Sequence, residues 1–157
     1  MQRCQERCCE TGLDGNVKEY RVLNSLCKYL VEKKPTIIMN DTKYVVGAFA
    51  LDEKGVVISK GCNSFVKTHP MQKKHADKVG LHHKIYLHAE VAALVKAHKK
   101  IDTLIIARIR QSDNKLAIAR PCPVCSEAIR QAGVRRVYFT DDSGELVLMN
   151  LARERNE

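Results

Sequence analysis

Two cysteines three residues apart, Cys122 and Cys125, stand between prolines in ARPCPVCSEAI, residues 119–129, at the start of a predicted helix. Residues so spaced share one face of a turn, so both sulfurs point the same way. The free N–H groups of a helix start and the positive end of its dipole favour thiolate over thiol. The pair is half of a zinc site, and three chemistries are open to it: a thiol redox couple, half of a structural zinc ribbon, or part of a catalytic centre. A redox couple expects a thioredoxin-like βαβ setting and a ribbon expects a second CxxC; the chain supplies neither.

What it does supply is His88-Ala89-Glu90, at the start of another predicted helix in LHAEVAAL. His88 with Cys122 and Cys125 makes a Cys₂His set, three protein ligands that leave a tetrahedral zinc one position for water. An incomplete protein shell suits catalysis rather than scaffolding. Glu90, two positions after the ligand, would take a proton from zinc-activated water and pass it to a leaving nitrogen. The structural alternatives are a satisfied buried histidine and a carboxylate stabilised by the helix dipole. Either fits one residue alone; the four together, in this order, favour catalysis.

HxE followed by PCxxC is the signature of zinc nucleobase deaminases. The chain resembles the cytidine deaminase-like superfamily, which includes cytidine and deoxycytidylate deaminases, bacterial tRNA adenosine deaminases and polynucleotide cytosine deaminases. The resemblance spans residues 17–150 and implies a three-layer α/β fold, a mixed five-stranded sheet with helices on both faces. It implies one catalytic zinc ion held between two helices by His88, Cys122 and Cys125, with Glu90 as proton shuttle. In VVISKGCNSF, Asn63 resembles the family's asparagine that contacts the substrate's sugar or base; its alternative is a turn residue favouring left-handed backbone. Pro121 resembles the position whose carbonyl accepts from the departing amino group, and Ala89 the one whose N–H meets the base's carbonyl. Self-association as a homo-oligomer is expected by resemblance too.

The elements that must position these residues follow from periodicity. Tyr20, Leu23, Leu26, Cys27 and Leu30 recur at helical spacing, which predicts a helix over 17–33 ended by Lys33-Lys34-Pro35. KYVVGAFAL and VVISKGC are β-rich and joined by Asp52-Glu53-Lys54-Gly55, a hairpin turn. Residues 61–86 are irregular and predict a surface loop with a short helix. Leu87, Val91, Leu94 and Val95 share a face of a helix over 87–99, followed by the strand TLIIARI. LAIAR leads into PCPVC; residues 127–131 are helical with Gly133 near the end, and RRVYFT is a strand. Asp141-Asp142-Ser143-Gly144 predicts a turn that returns ELVLMN as a C-terminal antiparallel hairpin, a short terminal helix being the competing reading. The division expected is a polar extension over 1–16 and one zinc deaminase domain over 17–157.

The chain has 157 residues, 45% hydrophobic and 29% charged, which suits one globular domain. No apolar run approaches the roughly 18 residues needed to cross a bilayer, and MQRCQERCCE offers no signal-peptide core, so a cytoplasmic protein without membrane contact is expected. Seven cysteines in such a chain point to metal ligation or burial, not a disulfide framework. Cys27 belongs to a core, while Cys4, Cys8 and Cys9 lack a nearby histidine. The charge of +9, from 27 Lys+Arg against 18 Asp+Glu, favours an anionic partner, a nucleotide or single-stranded nucleic acid.

Lys67, Lys73, Lys74 and Lys84 belong to a basic, histidine-rich stretch before HAE and are candidate phosphate contacts, a solvated loop being the alternative. Phe65 and Tyr86 could stack on a base or serve the core. A second zinc on Cys62 with His69, His75, His82 or His83 matches no standard spacing and is not expected. The first expectation for the substrate is cytosine in a nucleotide, nucleoside or single-stranded nucleic acid; adenosine in RNA such as tRNA is the second. An antiparallel last strand resembles the free cytidine deaminase branch more than the tRNA adenosine and deoxycytidylate branches, whereas charge and length pull the other way. A different class, a non-catalytic zinc module that binds nucleic acid, would need a fourth protein ligand and be indifferent to Glu90→Gln.

Overall fold

Helix α1, Val17–Ile37, turns one face to a sheet: Tyr20, Leu23, Leu26, Cys27 and Leu30 are all buried. The computed structural model describes residues 17–37, 44–64 and 66–151. The extension over 1–16, with Cys4, Cys8 and Cys9, lies outside them, as does Phe65. α1 runs through Pro35, past the stop expected at Lys33-Lys34-Pro35. A proline forfeits one N–H bond and crowds the carbonyl four residues back, a penalty confined here to the final turn.

Strands β1 (Tyr44–Leu51) and β2 (Val57–Cys62) form the expected hairpin. Asp52 closes its turn by accepting from the N–H groups of Lys54 and Val56, both at 2.9 Å. A short helix, α2 (Pro70–Lys78), follows, capped by His69, whose Nδ1 accepts from the Met71 N–H at 3.0 Å. Helix α3 is Ala89–Lys96, shorter at both ends than expected, because His88 is its cap and Ala97 returns to extended backbone at ψ 128°.

Strand β3 (Thr103–Arg110) is the centre of the sheet, antiparallel to β1 and parallel to β5 (Arg136–Thr140). Parallel neighbours need a crossover, and α4 (Pro123–Gln131) provides it, beginning within PCPVC with Cys122 as its cap, as the motif predicts. Strand β6 (Leu146–Leu148) returns antiparallel to β5, as the turn at Asp141–Gly144 predicts. The sheet has six strands where five were expected, in the order β2-β1-β3-β5-β6 with β4 (Leu116–Ala117) also on β3. β5 takes residues 103–106 of β3's edge, so β4 has only Arg108 and Ile109 left to pair with before the chain must leave for PCPVC.

Alternation along β3 divides the core between two faces. Ile105, Ala107 and Ile109 pack with α1 on one face; Leu104 and Ile106 pack with α3 and α4 on the other. Helices on both faces of a mixed sheet make the expected three-layer α/β architecture. Close approach places α3: a Cβ on Gly61 would stand 2.3 Å from the Ala89 carbonyl oxygen, so β2 lets the start of α3 sit directly on the sheet. No helix among the described residues is long and apolar enough to cross a membrane.

Candidate active site

Two helix starts converge. His88 caps α3 and Cys122 caps α4, each in extended backbone and neither using its side chain to cap its helix. Both side chains are thereby released towards each other. The His88 Nδ1 lies 3.2 Å from the Cys125 Sγ and 3.5 Å from the Cys122 Sγ, and the three donor atoms all fall within 4.8 Å of one another. A tetrahedral zinc with Zn–S of about 2.3 Å and Zn–N of about 2.0 Å needs donors roughly 3.5–3.8 Å apart. The set of two sulfurs and an imidazole therefore fits zinc in chemistry and in spacing, with three donors in the cluster among the described residues.

Electrostatics bear on the same point. The hydrogen bond with Cys125, helped by His88, pulls the Cys122 thiol down to about 4 against the effect of burial. Burial pushes the Cys125 thiol well up, and it also pushes the Glu90 carboxyl up, against a hydrogen bond with Cys125 and the charge of His88. His88 is raised chiefly by its hydrogen bond with Cys122. These are neighbours competing for few protons; a divalent cation takes both sulfurs as thiolates and ends the competition.

Glu90 stands in the first turn of α3, only 5% exposed, where a carboxylate is costly unless it is partnered. It lies on the floor of a cavity of about 370 Å³, together with His88, Ala89 and Cys122. Asn63 lines the wall. Its Oδ1 accepts from the Val46 N–H at 3.0 Å while its own N–H donates to the Val46 carbonyl at 3.1 Å, which leaves the side-chain NH₂ as the group it can offer. Asn63 does not take the left-handed backbone that its alternative reading as a turn residue required, since Asn114 is the non-glycine residue at positive φ among those described; one end of its amide is structural instead. Pro121 is buried between two lining residues, Arg120 and Cys122.

The basic stretch divides. Lys84 lines the cavity, whereas Lys67, Lys73 and Lys74 are exposed and do not. Tyr86 lines it too, 47% exposed. The histidines disperse: His69 caps α2, His82 faces Asp77 at 2.7 Å, His83 lines the cavity and His75 is buried.

Three residues of the site escaped the sequence reading. Gln72 of α2 is fully buried; its Oε1 accepts from the His88 N–H at 3.2 Å and its Nε2 donates to the Lys84 carbonyl at 3.1 Å. It ties the segment before α3 to α2 and holds the cap residue in place. A glutamine among lysines carries no signal of burial. Arg108 and Arg120 line the cavity. Arg108 was legible in part, because strand alternation puts it on the face of Leu104 and Ile106.

The sequence profile of the cytidine and deoxycytidylate deaminase zinc-binding region matches residues 22–141, a span that holds all four residues of the floor's chemistry. No curated protein sequence matches the chain. Among solved structures it is similar to the cytidine deaminase from Burkholderia pseudomallei, at 17% identity and a TM-score of 0.51, over 82% of this chain and 92% of that one. It is also similar to the cytidine deaminase from Mycobacterium leprae, at 13% identity and a TM-score of 0.49, over 86% of this chain and 98% of that one. At such identity the Burkholderia structure speaks for the fold.

Proposed function

The chain belongs to the family of the cytidine and deoxycytidylate deaminase zinc-binding region, and on that premise we propose that it hydrolyses the exocyclic amine of cytosine in a nucleotide, nucleoside or single-stranded nucleic acid. The observation that carries this reading is a buried carboxylate, Glu90, on a cavity floor beside three zinc-compatible donors.

His88, Cys122 and Cys125 would hold the ion. When bound, zinc supplies the Lewis acidity that brings a water towards ionisation near neutral pH. Glu90 accepts the proton of the attacking water, passes it to the ring nitrogen N3 and then serves the departing amino nitrogen, so that cytosine and water become uracil and ammonia. Its burial keeps that proton from bulk solvent. Ala89 is the first residue of α3, where helix N–H groups have no partner within the helix, and it offers its N–H to the base's carbonyl. The Asn63 NH₂ serves the base or sugar from the wall, and the Pro121 carbonyl receives the departing amino group.

The antiparallel β5–β6 hairpin, through the resemblance to the free cytidine deaminase branch, supports cytosine over adenosine and a free nucleoside over deoxycytidylate, whereas the net charge of +9 favours an anionic substrate. A three-donor cluster, with a carboxylate beside it, supports catalysis over a closed structural site. The test is ammonia release by the zinc-loaded protein from cytidine, deoxycytidine, deoxycytidylate, single-stranded DNA and tRNA. Release from cytosine substrates that disappears in Glu90→Gln is expected. Release from tRNA adenosine alone would overturn the base assignment, and silence across the panel from zinc-bound protein would overturn the activity.

A further inference from the structure

The floor of the cavity does not account for its mouth. Lys84, Arg108 and Arg120 line the cavity, and Glu90, sunk at the floor, is the one carboxylate among the described lining residues. Three other arginines among the described residues have acidic partners: Arg110 with Asp113 at 2.8 Å, Arg130 with Glu127 at 3.1 Å and Arg135 with Asp102 at 3.0 Å. Arg108 has no carboxylate in contact among the described residues.

Arg108 is nevertheless held. It stands opposite Val46 in the β1–β3 register, half-buried, with its guanidinium carbon 3.8 Å from the centre of the Tyr44 ring. Its Nη1 donates to the Ile118 carbonyl at 3.4 Å, and its Nε is buried without a partner. Stacking on a ring and bonding at one corner fix the plane of the fork before any ligand arrives, which reduces the entropy lost on binding. A fixed guanidinium without a carboxylate in contact, in a cavity that Lys84 and Arg120 also line, presents a planar fork of donors that suits phosphate.

We propose that Arg108, with Lys84 and Arg120, forms a phosphate subsite at the mouth, and that the substrate is therefore a phosphorylated cytosine rather than the free nucleoside. The base assignment in this statement rests on the deaminase reading; the anion subsite does not. The phosphate is that of a mononucleotide or of a nucleic acid strand, and the chemistry recognised is the same.

The experiment compares kcat/KM for cytidine and cytidine 5′-monophosphate, for the deoxy pair, and for a short cytosine-containing oligodeoxynucleotide. Wild-type protein, Arg108→Gln and Arg108→Lys are compared, each zinc-loaded. A hydrogen-bonded charge pair should favour the phosphorylated substrate by about tenfold to a hundredfold. The preference should collapse towards unity in Arg108→Gln, persist in part in Arg108→Lys and shrink as salt is raised. The ratio of two substrates on one preparation cancels any loss of folded protein. Preference for the oligonucleotide over both monophosphates would assign the phosphate to a strand; the reverse would assign it to a free nucleotide. Equal turnover of nucleoside and nucleotide by the wild type, or a preference that survives Arg108→Gln, would overturn the subsite. Calorimetric titration with the same monophosphates separates the two claims. Binding that depends on Arg108 without ammonia release would sink the deaminase reading and uphold the subsite, and absence of such binding would sink the subsite.

Discussion

At the floor of the cavity the charged and polar groups are held by one another; at the mouth Arg108 is held by a ring and a backbone carbonyl, with no carboxylate in contact among the described residues. His88, Cys122, Cys125 and Glu90 come from the first turns of two helices packed on one sheet, and His88 is tied down further by Gln72. Arg108 and Lys84 come from a central strand and from an irregular segment. The difference separates two tasks. A metal centre tolerates little displacement of its donors, so it is built where backbone is rigid. A mouth that selects among substrates by charge acts over several ångströms and needs only one well-held group, the stacked Arg108.

The sharpest way to break this comparison is at the floor. Chelation of zinc should abolish ammonia release and lower the melting temperature, with both restored by added zinc, because an ion that binds only the folded chain stabilises it. Next in size is Glu90→Gln, which should cost about 10²–10⁴ in kcat while metal content stays near one ion per chain. A variant that loses its zinc instead would make Glu90 a structural partner of Cys125, and the floor would no longer be divided into ligands and a proton carrier.

A smaller effect is expected from Gln72→Leu. It keeps the volume but strands the His88 N–H and the Lys84 carbonyl, at about 1–3 kcal/mol for each buried group that finds no water. Outer-shell partners of metal ligands are worth roughly 10–100-fold in metal affinity. Competition with a chromophoric chelator should show zinc held more weakly by that order, and the spectrum of the cobalt-substituted protein should shift. Unchanged affinity and spectrum with lowered melting temperature would reduce Gln72 to a packing residue.

How much of this was legible in sequence follows the same division. The floor was readable because its spacing is local: HxE and PCxxC each lie within one helix start, and a zinc site admits few residue types. The main strands were readable because apolar and β-branched residues form short continuous runs such as TLIIARIR, the pattern of a strand buried on both faces. The mouth was not readable, since it depends on which strand lies beside which. Arg108 is visible as a face of β3 but not as the neighbour of Tyr44 and Ile118. Gln72 is polar, and nothing local marks a polar residue as buried. The brevity of β4 follows from β5 occupying most of the same edge of β3, which is a fact of topology alone.

The smallest effect expected concerns the lysines that crowd together before HAE. Lys67, Lys73, Lys74 and Lys84 look equivalent along the chain, yet the first three are exposed and only Lys84 lines the cavity. Exposed charges more than about 8–10 Å from a ligand are largely screened at physiological salt. Lys73→Ala combined with Lys74→Ala should therefore change kcat/KM for a cytosine monophosphate by less than about twofold. Lys84→Ala should reduce it by several-fold, with a shallower salt dependence. For a strand longer than the cavity the expectation differs, because each phosphate contact contributes its own increment to the salt slope. If the double variant flattened the slope for an oligonucleotide while sparing the monophosphate, the exposed lysines of α2 would be a track leading to the mouth. The boundary between floor and mouth would then extend along the surface of that helix.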